Sequence, residues 1–469
     1  MKSHNIIYIF IASLLILEGC KVSKDVVAPA NAAPEVYRGA AATEGSSIAT
    51  LKIREFFKDE DILRLIDTAL LRNLDIQVAL KNIESAEQLF KQSRLGNLPA
   101  VNLLISASSN RPSDNSLNGL STSQFLGTKH IEDYNAVLGL SWEADIWGKI
   151  RSQKQAAYAS YLQSAEVKKA VQTRIVANVA QGFYQLLMMD AQMRVAQRNL
   201  ALNDSTLNMI RLQFDAGQVT SLAIQQAEAQ RLVAASIIPR LEQAIVLQEN
   251  ALSILTGKVP GAISRSSKLE SLSVPEHLSA GVPSEMVATR PDVRVAELAL
   301  HVANGRVGIT KAGMYPSLTI TANGGLNSLK ASNWFTIPAS LFGNVAGGIA
   351  QPLFQRKQLK TQYDLAVIDR ERVVIQFRQS VLVALGEVSD ELVKIDKLKQ
   401  QFDLSQQRVV TLQTAVRNAN LLFKNGMATY LEVITAQSNS LQSELELASV
   451  KAAELSAAVE LYRALGGGS

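Results

Sequence analysis

The stretch FDAGQVTSLAIQQAEAQ, Phe214 to Gln230, returns 209 positions later as FKNGMATYLEVITAQSN, Phe423 to Asn439. Phe214, Gly217, Thr220, Leu222 and Ala227 match Phe423, Gly426, Thr429, Leu431 and Ala436. Upstream, Val179, Leu186, Met193, Leu200, Leu207 and Phe214 fall every seven residues, and Val388, Ile395, Phe402, Val409, Val416 and Phe423 repeat that ladder at the same offset. The second ladder reaches back through Val381 and Val374 to Val367. A sustained period of seven is the pattern of a coiled-coil seam. No proline interrupts residues 150–215 or 357–425, so each run reads as one helix about 100 Å long at about 1.5 Å per residue. Helices of that length are made to span something. The 469 residues therefore read as one internally duplicated unit rather than two or three separate domains.

Both ladders stop at a glycine. Gly217 and Gly426 are placed to take the left-handed conformation that ends a helix, and Thr220 and Thr429 to cap the returning helices. Glu432 lies three residues after Thr429, the spacing of a capping box; the first repeat has Ala223 there and Asp215 within its turn.

The amino terminus reads as an export signal. Lys2 and His4 precede an apolar core, Ile6 to Leu17, too short to cross a bilayer. The only cysteine follows at once in the string Leu17, Glu18, Gly19, Cys20, and Lys21 comes next. A lone cysteine is commonly a small buried apolar residue, but directly after a signal core it reads as a site of covalent lipid attachment, with no disulfide in prospect. The Ala, Pro, Ser and Thr bias beyond it reads as an extended tether.

Four segments alternate with period two. Val101, Leu103, Ile105 and Ala107 alternate with Asn102, Leu104, Ser106 and Ser108; Tyr134 to Trp142, Leu318 to Asn323 and Val345 to Gln351 do likewise. Pro99 and Pro316 open equivalent strands 217 positions apart. Alternation alone fits a half-buried soluble sheet as well as a membrane barrel; the signal, the long helices, and Trp142 and Trp147 near a strand end favour the barrel. Four strands cannot close a barrel, and an open edge in lipid leaves backbone groups unsatisfied. Three copies would supply twelve strands. Residues 110–133 and 324–343 then read as external loops.

The net charge of +5 is modest, and its Lys and Arg are scattered among acids, which excludes a nucleic-acid face. The histidines, at 4, 130, 277 and 301, have no metal-ligand spacing with another His or Cys. There is no phosphate loop or nucleophile elbow. Met188, Met189 and Met193 offer soft sulfurs, but Met193 belongs to the seam, so packing is the simpler role. No catalytic residue, metal site or cofactor is expected, apart from lipid on Cys20.

Several strings together resemble one family: WEADIWGKIR (142–151), LQFDAG ending at Gly217, TRPDVRVAE (289–297), GEVSDEL (386–392) and LYRALGGG at the carboxyl end. The chain is similar to the outer membrane factor (TolC) family, and within it to the lipoprotein branch of OprM- and NodT-type multidrug efflux ducts. The resemblance covers essentially all of the mature chain. It implies a homotrimer in the outer membrane, with a shared twelve-stranded transmembrane β-barrel and a helical tunnel through the periplasm. Its partners would be a periplasmic adaptor and an inner-membrane pump of the resistance-nodulation-division type.

The implied layout is a signal at 1–19, a lipid-anchored tether at 20–55, a first repeat at 56–259 (strand hairpin 99–142, tip 215–219), an equatorial linker at 260–284, and a second repeat at 285–469 (hairpin 316–351, tip 424–428). Phe214, Asp215, Gly217, Phe423, Gly426 and Thr429 would form periplasmic tips that meet the adaptor. Glu432 would be a candidate gate acid, although its capping role explains it without a pore, and Thr435 stands where a second ring acid is expected. Arg290, Pro291, Asp292 and Arg294 form the equatorial motif, with Pro291 in the first turn of a helix and the arginines expected to pair with acids. Two other readings are a type I secretion duct for polypeptides and a structural periplasmic coiled-coil lipoprotein. The paired strands argue against the second, because a spacer needs no barrel.

Overall fold

The computed structural model describes residues 22–29, 37, 47–125, 127–274 and 279–468. The signal, Cys20 and much of the tether lie outside the described residues. In chain order the elements are α1 (Ile53–Phe56), α2 (Glu60–Arg72), α3 (Leu74–Arg94), β1 (Ala100–Asn110), α4 (Leu117–Phe125), β2 (Ile131–Glu143), α5 (Lys149–Asp215) and α6 (Ser221–Leu255). The second half continues with α7 (Pro283–Thr289), α8 (Pro291–Ala312), β3 (Ser317–Ser328), β4 (Leu341–Ala350), α9 (Gln358–Lys424) and α10 (Tyr430–Ala464). Both α5 and α9 run 67 residues without a break. Short 3-10 turns at Ile48–Thr50, Leu269–Ser271 and Ala331–Asn333 complete the order.

The compact units do not follow the repeat. One gathers the amino-terminal residues to Ala28, Glu84–Leu162 and Leu298–Ile375; the other gathers Pro29–Ile83, Gln163–Glu297 and Gln376–Ser469. Each thus draws on both halves of the duplicated sequence, so neither repeat is a compact unit by itself.

In the first unit the four strands form one antiparallel sheet in the order β1-β2-β3-β4. Ala100 pairs with Ser141, Glu143 with Thr319, and Ser317 with Ala350. Two expected loops prove shorter than the glycines suggested. Gly324 and Gly325 lie inside β3, and Leu341 to Gly343 inside β4. The reason is close approach: a Cβ on Gly325 would come 2.1 Å from the Ala136 carbonyl oxygen, so glycine here allows strands to pair rather than turn. The 110–133 segment is likewise not all loop, since it contains α4 and the start of β2.

The amino-terminal strap is clasped rather than free. Asn304 on α8 accepts from the Val26 amide at 3.1 Å and donates to the Val26 carbonyl at 2.8 Å. Within the stretch expected as a tether to residue 55, the turn at Ile48–Thr50 buries Ile48, and α1, which begins there, buries Phe56.

In the second unit the heptad seam faces inward. Val179, Leu186, Val381 and Val388 are at most 1% exposed, and every rung from Val381 to Phe423 is buried or half-buried. Tyr462 stacks on Phe56 with ring centroids 4.2 Å apart, and its hydroxyl donates to the Leu51 carbonyl at 2.7 Å.

Candidate channel-forming sheet and helical tip

The sheet has one apolar and one polar face. Because partners in an antiparallel register share a face, Val101, Leu103 and Ile105 lie with Leu140, Leu138 and Ala136, then with Ala322, Gly324 and Leu326, and on to Val345 and Leu341. Asn102, Ser106, Asn135, Thr321, Asn323 and Asn344 lie on the other. The apolar face is uncovered: Val345 is 79% and Leu103 66% exposed. Aromatic groups bracket it. At one end the Trp147 indole donates to the Pro316 carbonyl at 2.7 Å and stacks on Tyr315, and that of Trp142 donates to the Asn97 carbonyl at 2.8 Å. At the other end Tyr134 meets Trp334 with centroids 5.5 Å apart, and Trp334 meets Phe335. From Tyr134 to Trp142 the strand extends about 27 Å at about 3.4 Å per residue, which at the tilt of barrel strands crosses most of the roughly 25 Å apolar band of outer-membrane barrels. Two edges, β1 and β4, have no partner strand among the described residues.

The two tips are built alike. Gly217 and Gly426 have φ of 73° and 69°. Gln218 donates its amide to the Gln213 carbonyl and Gly217 to that of Phe214; Met427 and Gly426 do the same to Leu422 and Phe423. That pair of bonds satisfies the last free carbonyls of each long helix. Asp215 and Lys424 are the last residues of α5 and α9. Thr220 and Thr429 stand at the N-caps of α6 and α10, but the caps differ. Glu432 accepts from the Thr429 amide at 2.6 Å and from its hydroxyl at 3.2 Å, whereas Thr220 has no side-chain cap bond. The twin phenylalanines also part: Phe423 is 3% exposed, packed with Leu207, Ile210, Ala223, Ala227 and Val433, while Phe214 is 41% exposed.

The equatorial motif is an ion network centred on one buried arginine. Arg290, 3% exposed, donates to both carboxylate oxygens of Asp292 at 2.7 and 2.9 Å, to Glu387 at 2.5 Å and to the Ala464 carbonyl at 3.0 Å. Arg463 reaches the same Glu387 carboxylate at 3.0 Å. Three of the quoted strings, around Arg290, Glu387 and Arg463, thus meet at one carboxylate. Pro291 opens α8. Among the described residues Arg294 pairs along its own helix, with Glu297.

Two residues passed over in the sequence do comparable work. Asn73 donates to the Leu255 carbonyl and accepts from the Asp75 and Ile76 amides. Asp61 accepts from the Ser266 amide and hydroxyl and the Ser267 amide, tying down the linker, and pairs with Arg64. Burial works to raise its pKa, but these bonds outweigh it and bring the carboxyl down to about 2. Period-based reading finds neither tie, because the Leu255 and Ser266 partners lie 182 and 205 residues away.

Among the described residues no cluster of three or more His, Cys, Asp or Glu is placed to hold a metal ion, and no helix is long and apolar enough to cross a membrane.

Comparison with known proteins agrees with this geometry. The family model described as Outer membrane efflux protein matches twice, at residues 65–258 and 282–467. The chain is 28% identical over 466 residues to the solvent efflux pump outer membrane protein SrpC of Pseudomonas putida, covering 97% of each. It is 26% identical over 461 residues to the cation efflux system protein CusC of Escherichia coli, again covering 97% of each. The open-state crystal structure of the Neisseria gonorrhoeae MtrE outer membrane channel superposes with a TM-score of 0.85 at 25% identity, over 96% of this chain and 98% of that one. With both repeats matched, the chain belongs to the outer membrane efflux protein family.

Proposed function

We propose that the mature chain, as a homotrimer, is the outer-membrane channel of a tripartite efflux system, a passive conduit that carries small molecules across the periplasm and outer membrane. It contributes a sealed path and no chemistry. One observation carries the reading: a sheet with an exposed apolar face of membrane height, a polar opposite face and two free edges. Such a sheet is admissible in lipid only if copies close it, because each unsatisfied backbone group there costs several kcal/mol. Three copies of four strands give the even number that outer-membrane barrels use.

The matching tips around Gly217 and Gly426 are the surfaces offered to a periplasmic adaptor, and an inner-membrane pump of the resistance-nodulation-division type supplies the energy. Cys20 carries the lipid anchor. The solvent and cation efflux named for the relatives supports small-molecule cargo over a polypeptide duct.

The test is the mass of the detergent-extracted protein together with its conductance in a planar bilayer. A trimer that opens as a narrow, mostly closed pore is the expected result. A monomer without conductance overturns the channel and returns the helices to a spacer role.

A further inference from the structure

The two ends of the sheet differ in charge. All four strands join their helices at one end, where Ala100 pairs with Ser141, Glu143 with Thr319 and Ser317 with Ala350. Trp142, Trp147 and Tyr315 mark that end. At the opposite end the cations Arg111, Lys129 and Lys330 are matched in number by Asp114, Glu132 and Asp133. Asp114 pairs there with Lys129 at 3.2 Å and with Arg111 at 3.6 Å.

The helix end of the second repeat has no such balance. No Asp or Glu occurs from Leu298 to Tyr363. Lys311 nevertheless lies one residue before the end of α8, and Arg356, Lys357 and Lys360 flank the start of α9, all three exposed. The two junctions are neighbours, since Gln351 donates to the Met314 carbonyl at 3.1 Å and the Lys311 ammonium lies 5.9 Å from the centre of the Tyr363 ring. Nearby acids of the first repeat are already engaged. Glu143 pairs with Lys149 at 2.9 Å, and Asp145 accepts from the Ile150 and Arg151 amides at 2.9 Å each.

The backbone supplies an independent observation. Gln358 donates its amide to the Gln355 carbonyl at 2.8 Å, closing a turn whose central residues, Arg356 and Lys357, have φ of 50° and 62°. Among the described residues they are the only non-glycines with positive φ. Successive positive φ values are the province of glycine, asparagine and aspartate, and long side chains hold them under strain. The first repeat has Gly148, with φ of 72°, 209 positions before Lys357. Glycine thus serves this junction where only a turn is needed. Two cations kept against the local preference serve something outside the fold. Leu353 and Phe354, immediately before them, are 92% and 85% exposed, so an apolar pair is followed directly by charge, the order in which a segment leaves acyl chains for headgroups.

We propose that Lys311, Arg356, Lys357 and Lys360 form a cationic collar at the periplasmic rim of the barrel that binds the headgroups of anionic phospholipids in the adjoining leaflet. Charge complementarity selects the partner, because four uncompensated cations beside a membrane-spanning segment attract anionic lipid, and the aromatic groups Trp147 and Tyr315 set the collar at headgroup depth. The collar fixes how deep the barrel sits and gathers anionic lipid around it.

The inference rests on the channel reading, and lipid retention by the full lipidated chain separates the two. The extracted protein is reconstituted with equal amounts of phosphatidylglycerol and phosphatidylcholine and re-isolated, and its mass and retained lipids are measured by mass spectrometry. The parent trimer is expected to retain phosphatidylglycerol over phosphatidylcholine by about threefold or more at low salt, an advantage that shrinks at about 0.5 M salt. Arg356→Gly, Lys357→Gly and Lys360→Gln together should at least halve that ratio while the protein stays trimeric, since glycine suits both turn positions. Arg111→Gln with Lys330→Gln, at the opposite end, should leave the ratio unchanged. Equal retention by the parent trimer, a parental ratio in the triple variant, or a ratio lowered by the opposite-end pair overturns the collar and leaves the channel reading standing. A parent monomeric by mass overturns the channel reading and the collar with it. Arg356→Asn with Lys357→Asn repeats the test if the triple variant does not assemble, because asparagine also accepts positive φ.

Discussion

Asn73 and Arg290 hold the same place in the two repeats, 217 positions apart, and each binds the carbonyl of the last residue in the final helix of its own repeat: Asn73 that of Leu255 at 2.9 Å, Arg290 that of Ala464 at 3.0 Å. Those carbonyls are themselves 209 positions apart. One clasp has thus been made twice with different chemistry. The neutral amide of Asn73 is satisfied by backbone groups, whereas the buried guanidinium of Arg290 needs Asp292 and Glu387 as counter-charges.

Arg290→Ala is therefore expected to destabilise the fold by about 2 kcal/mol, because it leaves the Ala464 carbonyl without its buried donor and Glu387 with Arg463 alone, while the half-exposed Asp292 turns to water. Arg290→Lys should recover only part of this, since an ammonium cannot form the two-pronged bond to Asp292. Asn73→Ala should cost about 1 to 2 kcal/mol as a lost cap. Urea unfolding of the three purified variants orders them; equal losses for Ala and Lys at 290 would show that fork geometry is irrelevant.

Asp61 predicts an acid limit. Its folded pKa lies at about 2, below the ordinary 3.8, so its contribution is complete above about pH 4 and is lost as the pH falls toward 2. Asp61→Asn should lower stability at neutral pH by about 2 kcal/mol and flatten the decline between pH 4 and 2. Melting temperature against pH checks this; a variant declining as steeply as the parent would assign the acid limit to other groups.

Glu432 separates cap from gate. Glutamine can take the same capping-box position without charge, so Glu432→Gln is expected to leave closed-state conductance unchanged. Glu432→Ala should lower the stability of the tip by about 1 kcal/mol. A clear rise in conductance for the glutamine variant would instead point to a ring of carboxylates across the pore.

At Gly426 the backbone φ of 69° is closed to proline, whose ring holds φ near −65°, and proline also removes the amide that donates to Phe423. Gly426→Pro should abolish adaptor cross-linking at the tip while SDS-resistant trimers persist. Normal export and cross-linking in this variant would remove the tip from the adaptor contact.

Much of this was legible in sequence because it depends on short-range periodicity. The helix ends at Asp215 and Lys424 follow from glycine and proline placement, and the Thr429–Glu432 box from spacing along three residues. The shared carboxylate of Glu387 was less legible: the strings that meet there are separated by 76 and 97 positions, and no local period links them. Glycine misled in the opposite direction, since in β3 it marks crowding by the Ala136 carbonyl rather than a turn.

The sequence alone determined the duplication, the two long helices and the alternating strands, because each is a repeating pattern of side-chain polarity with a fixed physical period. Tertiary structure decided how equivalent residues diverge. Phe423 is buried and Phe214 exposed although they occupy the same rung, because Phe423 packs against Ala223 and Ala227, whereas the twin of Ala223 is Glu432, whose carboxylate is engaged with the Thr429 amide. An apolar pocket accepts a methyl group at its floor and not a charge, and which surface each phenylalanine meets is fixed only when the chain has folded.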